Sequence, residues 1–364
     1  MQNVGVHKIA CGGPGDLSAA RVLIESGLIN PAEIIAVLGK TEGNGCVNDF
    51  TREYATQAWC AMLAPRLGLS AAEVEQRIAF IMSGGTEGVL SPHFTIFTRA
   101  QATAMPAPDG KRLALGIGFT RDFLPEEIGT SIQARETARA VKDAMADAAI
   151  TDMADIHFVQ IKCPLLTSAK IADALARGAA PATRDSYESM GASRGASALG
   201  VALALHEVDA SVLDDDLIGR DWSRYSSVAS TSAGIELECN VIILMGMSGA
   251  AVSPYVIGHG VMKDAIDAAS VRTTLARTMD IDPDVQHERI VNIFAKAEAA
   301  PDGQVRGLRH TMLNDSDINS TRHARAAVGA VLASVTGQTA IYVSGGAEHQ
   351  GPPGGGPFAI IARI

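Results

Sequence analysis

Six short apolar runs stand out along the chain, and each stops at a polar residue that recurs. Three end in lysine: Ile34-Ile-Ala-Val-Leu-Gly-Lys40, Ile156-His-Phe-Val-Gln-Ile-Lys162 and Ile290-Val-Asn-Ile-Phe-Ala-Lys296. Three others end in serine and open one shared pattern, S-[GA]-G-x-E: Ser83-Gly-Gly-Thr-Glu87, Ser232-Ala-Gly-Ile-Glu236 and Ser344-Gly-Gly-Ala-Glu348. Short apolar runs of this kind read as buried strands. The order Lys-strand, helix, Ser-strand occurs three times, which is the signature of an internal repeat.

Between each Lys and its Ser lies an Ala-rich helical stretch, approached by a hydroxyl residue and an arginine. Thr51-Arg52 leads into residues 54–63, Ser193-Arg194 into 196–205 and Thr321-Arg322 into 324–333. A hydroxyl residue before an apolar-periodic run signals a helix N-cap, which predicts each Arg in a first helical turn. In the third copy Arg325 lies one turn beyond Arg322 and can point the same way, so both are candidates. Further helices are predicted before each Lys-strand, over residues 17–26, 130–149 and 261–279. Turn formers concentrate at Ala104-Met-Pro-Ala-Pro-Asp-Gly110 and over residues 246–254. The predicted units are therefore 1–104, 105–250 and 251–364. The predicted class is α/β: three homologous repeat units around a pseudo-threefold axis, with the active site at the centre.

Composition narrows the function. The 364 residues are 47% hydrophobic and 19% charged, as in a globular protein rather than a disordered or fibrous one. With 30 basic and 40 acidic residues the net charge is −10, which argues against a nucleic-acid partner. No apolar run approaches the length of a membrane span, and residues 241–247 read as a buried strand. No secretory signal is visible, so a cytoplasmic protein without a membrane partner is expected. Five scattered cysteines and nine dispersed histidines lack zinc-ligand spacing, and neither His206-Glu207 nor His287-Glu288 completes a zincin pattern.

The repeated residue types suit acyl transfer. A serine hydroxyl needs a base within hydrogen-bond reach, and a lysine serves once burial or neighbouring cations lower its pKa. Three Lys and three Arg brought to one axis would supply those cations. The small residue after each Ser (Gly84, Ala233, Gly345) lets a backbone N–H approach a ligand, as an oxyanion donor must. Each Arg offers a planar fork of donors to carbonyl oxygens. The substrate class this suggests is a small, oxygen-rich cyclic amide or imide.

These segments carry a resemblance. Gly39-Lys-Thr-Glu-Gly-Asn-Gly-Cys-Val-Asn-Asp49 with Thr51-Arg-Glu-Tyr54, Ser83-Gly-Gly-Thr-Glu-Gly-Val-Leu-Ser-Pro92, Ser226-Ser-Val-Ala-Ser230 with Ser232, and the tail His349-Gln-Gly-Pro-Pro-Gly-Gly-Gly-Pro357 are its most specific parts. The chain resembles, end to end, the cyanuric acid hydrolase/barbiturase family of ring-opening cyclic amide hydrolases. The resemblance implies three Ser–Lys pairs, Lys40/Ser83, Lys162/Ser232 and Lys296/Ser344, with Ser232 as nucleophile and Lys162 as base. It implies that the outer pairs position the substrate, together with Arg52, Arg194 and Arg325 or Arg322. It also implies a homotetramer and no organic cofactor, with a structural divalent cation at the C-terminal loop. The cation's ligands would be Glu298 and oxygens of Ala347, Gln350, Gly351, Pro352 and Gly355, an oxygen-rich set suited to Mg²⁺ or Ca²⁺.

The expected reaction is ring opening of cyanuric acid to carboxybiuret, which loses CO₂ to biuret. Two alternatives stand beside it: opening of barbituric acid to ureidomalonate, and a non-catalytic small-molecule binding protein. The residues alone do not distinguish the three Ser–Lys pairs, although the middle copy differs in Ala233 and in Cys163-Pro164.

Overall fold

The computed structural model describes residues 1–102 and 109–364. The predicted turn at 104–110 and the boundary between 104 and 105 fall almost wholly outside these residues. The fold is mixed α/β, with three four-stranded sheets built in the same way. The first contains β1 (Gln2–Ala10), β2 (Ile34–Thr41), β3 (Ala79–Gly84) and β4 (His93–Gln101). The second contains β5 (Arg112–Phe119), β6 (Ile156–Pro164), β7 (Ala229–Gly234) and β8 (Val241–Ser248). The third begins with β9 (Tyr255–Met262) and β10 (Ile290–Ala297). After a small hairpin, β11 (Gln304–Val305) and β12 (Leu308–Arg309), it ends with β13 (Tyr342–Gly345) and β14 (Gly356–Arg363).

In each sheet the first strand pairs antiparallel with the last, the last antiparallel with the second, and the second parallel with the third. A parallel pair needs a crossover, and helices provide it. Between β2 and β3 lie α1's successors α2 (Thr51–Leu67) and α3 (Ala71–Arg77), α1 (Ser18–Glu25) having preceded β2. After α4 (Ser131–Asp147), α5 (Ser168–Ala176) and α6 (Ser186–Ala204) join β6 to β7. After α7 (Ala268–Thr278), α8 (Ser320–Thr336) joins β10 to β13. The parallel registers set Lys40 opposite Ser83, Lys162 opposite Ser232 and Lys296 opposite Ser344. Opposite residues of paired strands project from the same face, so each Lys and its Ser emerge together.

Both faces of each sheet are covered, which is why the strands read as continuous apolar runs. One face packs on that sheet's helices; the other joins a core common to all three sheets. Leu38, Ile81 and Phe97 from the first sheet meet Leu115, Phe158 and Ile243 from the second and Phe294, Tyr342 and Ile361 from the third. Phe294 lies at its middle, its ring centre 5.4 Å from Phe158 and 6.4 Å from Phe97. Among the described residues no helix is long and apolar enough to cross a membrane.

Several predicted boundaries shift. Ser193-Arg194 lies deep within α6, which starts seven residues earlier because Asp185 accepts the N–H groups of Tyr187 and Glu188 at 2.7 and 2.9 Å. Thr51 and Thr321 stand inside their helices, and acid or amide side chains two residues earlier, Asp49 and Asn319, take the Thr N–H instead. The predicted helix over 261–279 starts only at Ala268, since Val261 and Met262 pair with Pro357 and Gly356 and extend β9. Gly246 belongs to β8, opposite Ala114 and Ile156, so the turn there begins after Ser248.

Candidate active site

The three parallel strand pairs deliver their polar ends to one small cavity. Its walls include Ser83, Gly84, Lys162, Ser232, Ala233, Ser344 and Gly345, with Arg52, Arg194 and Arg325. Lys40 and Lys296 stand directly behind, fully buried, and donate to Ser83 Oγ at 3.1 Å and to Ser344 Oγ at 3.0 Å. A larger open groove lined by Arg135, Lys142 and His206 holds none of the repeated residues. Of the two third-copy candidates Arg325 lines the cavity, whereas Arg322 is 39% exposed and outside it.

The helices bring each Arg to the cavity from a different depth: second residue of α2, ninth of α6 and sixth of α8. Behind each guanidinium stands the Glu of an S-[GA]-G-x-E segment, but from a neighbouring sheet. Arg325 Nε and Nη2 bind Glu87, and Arg194 Nε and Nη2 bind Glu348 at 2.8 and 2.6 Å. Arg52 faces Glu236 at 3.9 Å. The pairing is cyclic: first-sheet Arg with second-sheet Glu, second with third, third with first. A planar fork on a carboxylate fixes the direction in which the remaining guanidinium N–H groups point.

The middle copy departs from the other two. Lys162 donates to Met82 O at 2.9 Å and to Ala233 O at 3.3 Å, rather than to Ser232. Ser232 Oγ is buried with no hydrogen-bond partner among the described residues. Burial pushes the Lys162 amine down to about 8; Glu236 opposes that shift and Arg52 adds to it. Of the cations expected to lower the Lys162 pKa, Arg52 does so, but burial leads the shift and an acid, Glu236, stands beside the amine. Lys40 and Lys296 are pushed well below the ordinary lysine range, first by burial and next by Arg325 and Arg194 respectively.

A scan against family models matches residues 5–363 to the family described as Amidohydrolase ring-opening protein. The chain belongs to this family. Similar to this ring-opening amidohydrolase is a cyanuric acid amidohydrolase of Pseudomonas sp. (strain ADP), 64% identical with both chains covered in full. A second, of Bradyrhizobium diazoefficiens, is 62% identical across 100% of this chain and 98% of its own. Two solved structures are also similar. A cyanuric acid hydrolase described as an innovation by structural concatenation has a TM-score of 0.97 at 64% identity, with both chains covered in full. The cyanuric acid hydrolase of A. caulinodans has 0.92 at 49% identity, covering 100% of this chain and 99% of that one.

In this amidohydrolase the C-terminal loop winds back on positive-φ residues Gly346, His349, Gly351 and Gly354. Glu298 is buried, its two oxygens accepting the N–H groups of Ala299 at 2.8 Å and Ala347 at 3.0 Å. Burial and the neighbouring Glu348 charge push its carboxyl up, the condition a bound cation relieves. Ala347 and Pro352 carbonyls each take one N–H, from Gln350 and Gly355, and keep a lone pair. The Gln350 side-chain oxygen is taken by Thr231 N–H at 2.6 Å, leaving its backbone carbonyl as the ligand oxygen it can offer. One carboxylate with turn carbonyls from Ala347, Gln350, Gly351, Pro352 and Gly355 fits a hard cation. No cluster of three His, Cys, Asp or Glu side chains occurs among the described residues, so a cation held here would rest on one carboxylate and backbone carbonyls.

Sequence reasoning passed over Asp49 and Tyr342 and gave the motif glutamates no role. Asp49 is buried and accepts from Gly45 N at 2.8 Å and Thr51 N at 3.0 Å, tying a cavity-lining loop to the start of α2. Tyr342 is fully buried with its hydroxyl unpaired among the described residues, and its ring lies 5.9 Å from Lys40 Nζ. The glutamates did carry a signal: an acid repeated in step with an arginine is a pairing pattern.

Proposed function

We propose that the chain is a cyanuric acid amidohydrolase that opens the ring with Ser232 as nucleophile and Lys162 as base. The observation that carries this reading is the convergence of three register-matched Lys–Ser pairs and three Arg on one cavity. Cyanuric acid has threefold symmetry, and one Arg with one Ser-Gly or Ser-Ala element is available for each ring carbonyl. The relatives' shared name supports the same substrate. We place the three sheets around a pseudo-threefold axis, because the Arg–Glu exchange runs cyclically and one core serves all three sheets.

The middle pair is favoured because its hydroxyl is uncommitted. Ser83 and Ser344 already accept from Lys40 and Lys296, so they are set to hold carbonyl oxygens. Ser232 Oγ attacks a ring carbonyl carbon while its proton passes to the neutral Lys162 amine. The ring C–N bond then breaks, and Lys162 returns the proton to the leaving nitrogen. Water hydrolyses the resulting acyl-serine, giving carboxybiuret and, after loss of CO₂, biuret. A hard divalent cation at Glu298 and the loop carbonyls would supply stability to the fold and no step of the reaction. The same reading carries a cytoplasmic homotetramer, whose mass in solution light scattering would measure.

Purified chain incubated with cyanuric acid and, side by side, with barbituric acid tests this. Loss of the ring's ultraviolet absorbance and release of biuret from cyanuric acid is the expected result. Preferential opening of barbituric acid would move the substrate assignment, and tight binding without ring opening would sink the enzymatic one.

A further inference from the structure

The three motif glutamates occupy equivalent places, yet they are not used alike. Glu87 and Glu348 each close a two-bond fork with an Arg. Glu236 does not. Its nearest guanidinium contact, Arg52 Nε, is 3.9 Å away, and Arg52 spends its other nitrogens on Ala233 O at 3.3 Å and Cys46 O at 3.0 Å. Glu236 Oε1 lies closer to Lys162 Nζ, at 3.5 Å. Both Arg52 Nε and Glu236 Oε2 are buried without a hydrogen-bond partner among the described residues. Leaving a charged group half-satisfied in a protein interior is expensive, so an open pair beside two closed ones demands a use.

The open pair sits beside the dyad whose serine is unbonded. Resting on the Ser232–Lys162 reading above, we propose that Glu236 is a positioning residue for the base, shared between Arg52 and Lys162. When Ser232 gives its proton to Lys162, a neutral amine becomes a buried ammonium, and a carboxylate 3.5 Å away is placed to stabilise it. Glu236 remains ionised throughout; the proton moves from Ser232 Oγ to Lys162 Nζ and on to the leaving ring nitrogen. Burial works to raise the Glu236 carboxyl, but Lys162 and Arg52 outweigh it and hold it below the usual range. The charged and titratable groups facing Lys162 are Glu236, Arg52, Cys163 and Asp49, and Glu75 on α3 also faces Glu236. Glu87 and Glu348, spent on their arginines, have no such freedom.

The test is the pH profile of kcat/KM for cyanuric acid ring opening by the full chain and by E236Q. Removing the negative charge lowers the Lys162 pKa, so the acidic limb moves to lower pH by about one unit. The plateau kcat falls at least about tenfold, since the ammonium formed in the reaction loses its partner. Glu87→Gln serves as the comparison: it weakens substrate binding and leaves the limb in place. Should E236Q not fold, Glu236→Asp carries the test, because the shorter side chain withdraws the carboxylate from Lys162 and moves the limb the same way. An unmoved limb with unchanged plateau kcat, or an equal shift in Glu87→Gln, overturns the proposal. A wild-type chain that does not open the ring, or has no such limb, instead sinks the underlying reading.

Discussion

Arg325 on α8 of the third sheet binds Glu87, just beyond β3 of the first, through Nε at 2.8 Å and Nη2 at 2.5 Å. Both side chains are nearly inaccessible, and Arg322 adds only a partly exposed contact at 3.2 Å. Arg325→Ala strands a buried carboxylate, which costs about 3–5 kcal/mol of stability, whereas Arg322→Ala costs at most about 1 kcal/mol. Denaturant melts of the two variants measure this. KM should rise steeply in the first and little in the second; equal effects would show that the cavity does not depend on the clasp.

Ser232→Ala and Lys162→Ala are expected to lower kcat by about a thousandfold or more, because in the proposed mechanism each removes a participant in bond making. Ser83→Ala and Ser344→Ala, deleting hydroxyls already held by Lys40 and Lys296, should act mainly through KM. Steady-state kinetics of all four variants decide it. Matching kcat losses for the three serines, with KM unchanged, would count against one dedicated nucleophile.

In the proposed mechanism Lys162 acts only as the free amine, so activity should rise with pH as its proton leaves. With the amine pushed down to about 8, about a tenth of the molecules carry the free base at pH 7, against less than about one in a thousand for an ordinary lysine. The kcat/KM profile should therefore climb through a single ionisation near 8 and level off above it. A limb near 10 would assign the proton transfer to another group.

Chelation of divalent cations should lower the melting temperature while enzyme still folded keeps its kcat, and Mg²⁺ or Ca²⁺ should restore the lost stability. Glu298→Gln should abolish that response. Activity that vanishes on chelation before any unfolding would place the metal in the chemistry.

Gly84→Ala tests how tightly the cavity wall is built. A Cβ there would overlap Asp49 Oδ2, the carboxylate that ties Gly45 to the start of α2. Asp49 must move, loosening its hold on Gly45 and Thr51. Substrate affinity should fall sharply with a loss of stability in the range of about 1–3 kcal/mol, readable by calorimetry.

The repeated Lys and Ser were legible because each ends an apolar run, and a charged residue closing a buried strand breaks the pattern visibly. Their register could not be read, since strand pairing depends on crossovers whose lengths differ among the copies. Helix starts were misjudged wherever an Asp or Asn two or more residues upstream outcompeted the hydroxyl residue as a cap, as at Asp185. Arg194 shows the consequence: its neighbours suggested a first turn, but it sits mid-helix and still reaches the cavity because α6 begins farther back. Glu236 beside Lys162 was invisible for a different reason. That contact joins the strand end to a residue four positions past the serine, where local pattern carries no distance.

The cyclic exchange of Arg and Glu also bears on how unequal the three corners can become. In a ring of three identical subunits, any change at the Glu87 position would occur at all three corners at once, because symmetry copies every substitution. A polypeptide that carries the three corners in tandem is free of that constraint. Two corners can stay locked as scaffolding while the third keeps a loose acid, an uncommitted hydroxyl and an alanine where its counterparts have glycine. Division of labour among sites of common design thus becomes available to a single chain.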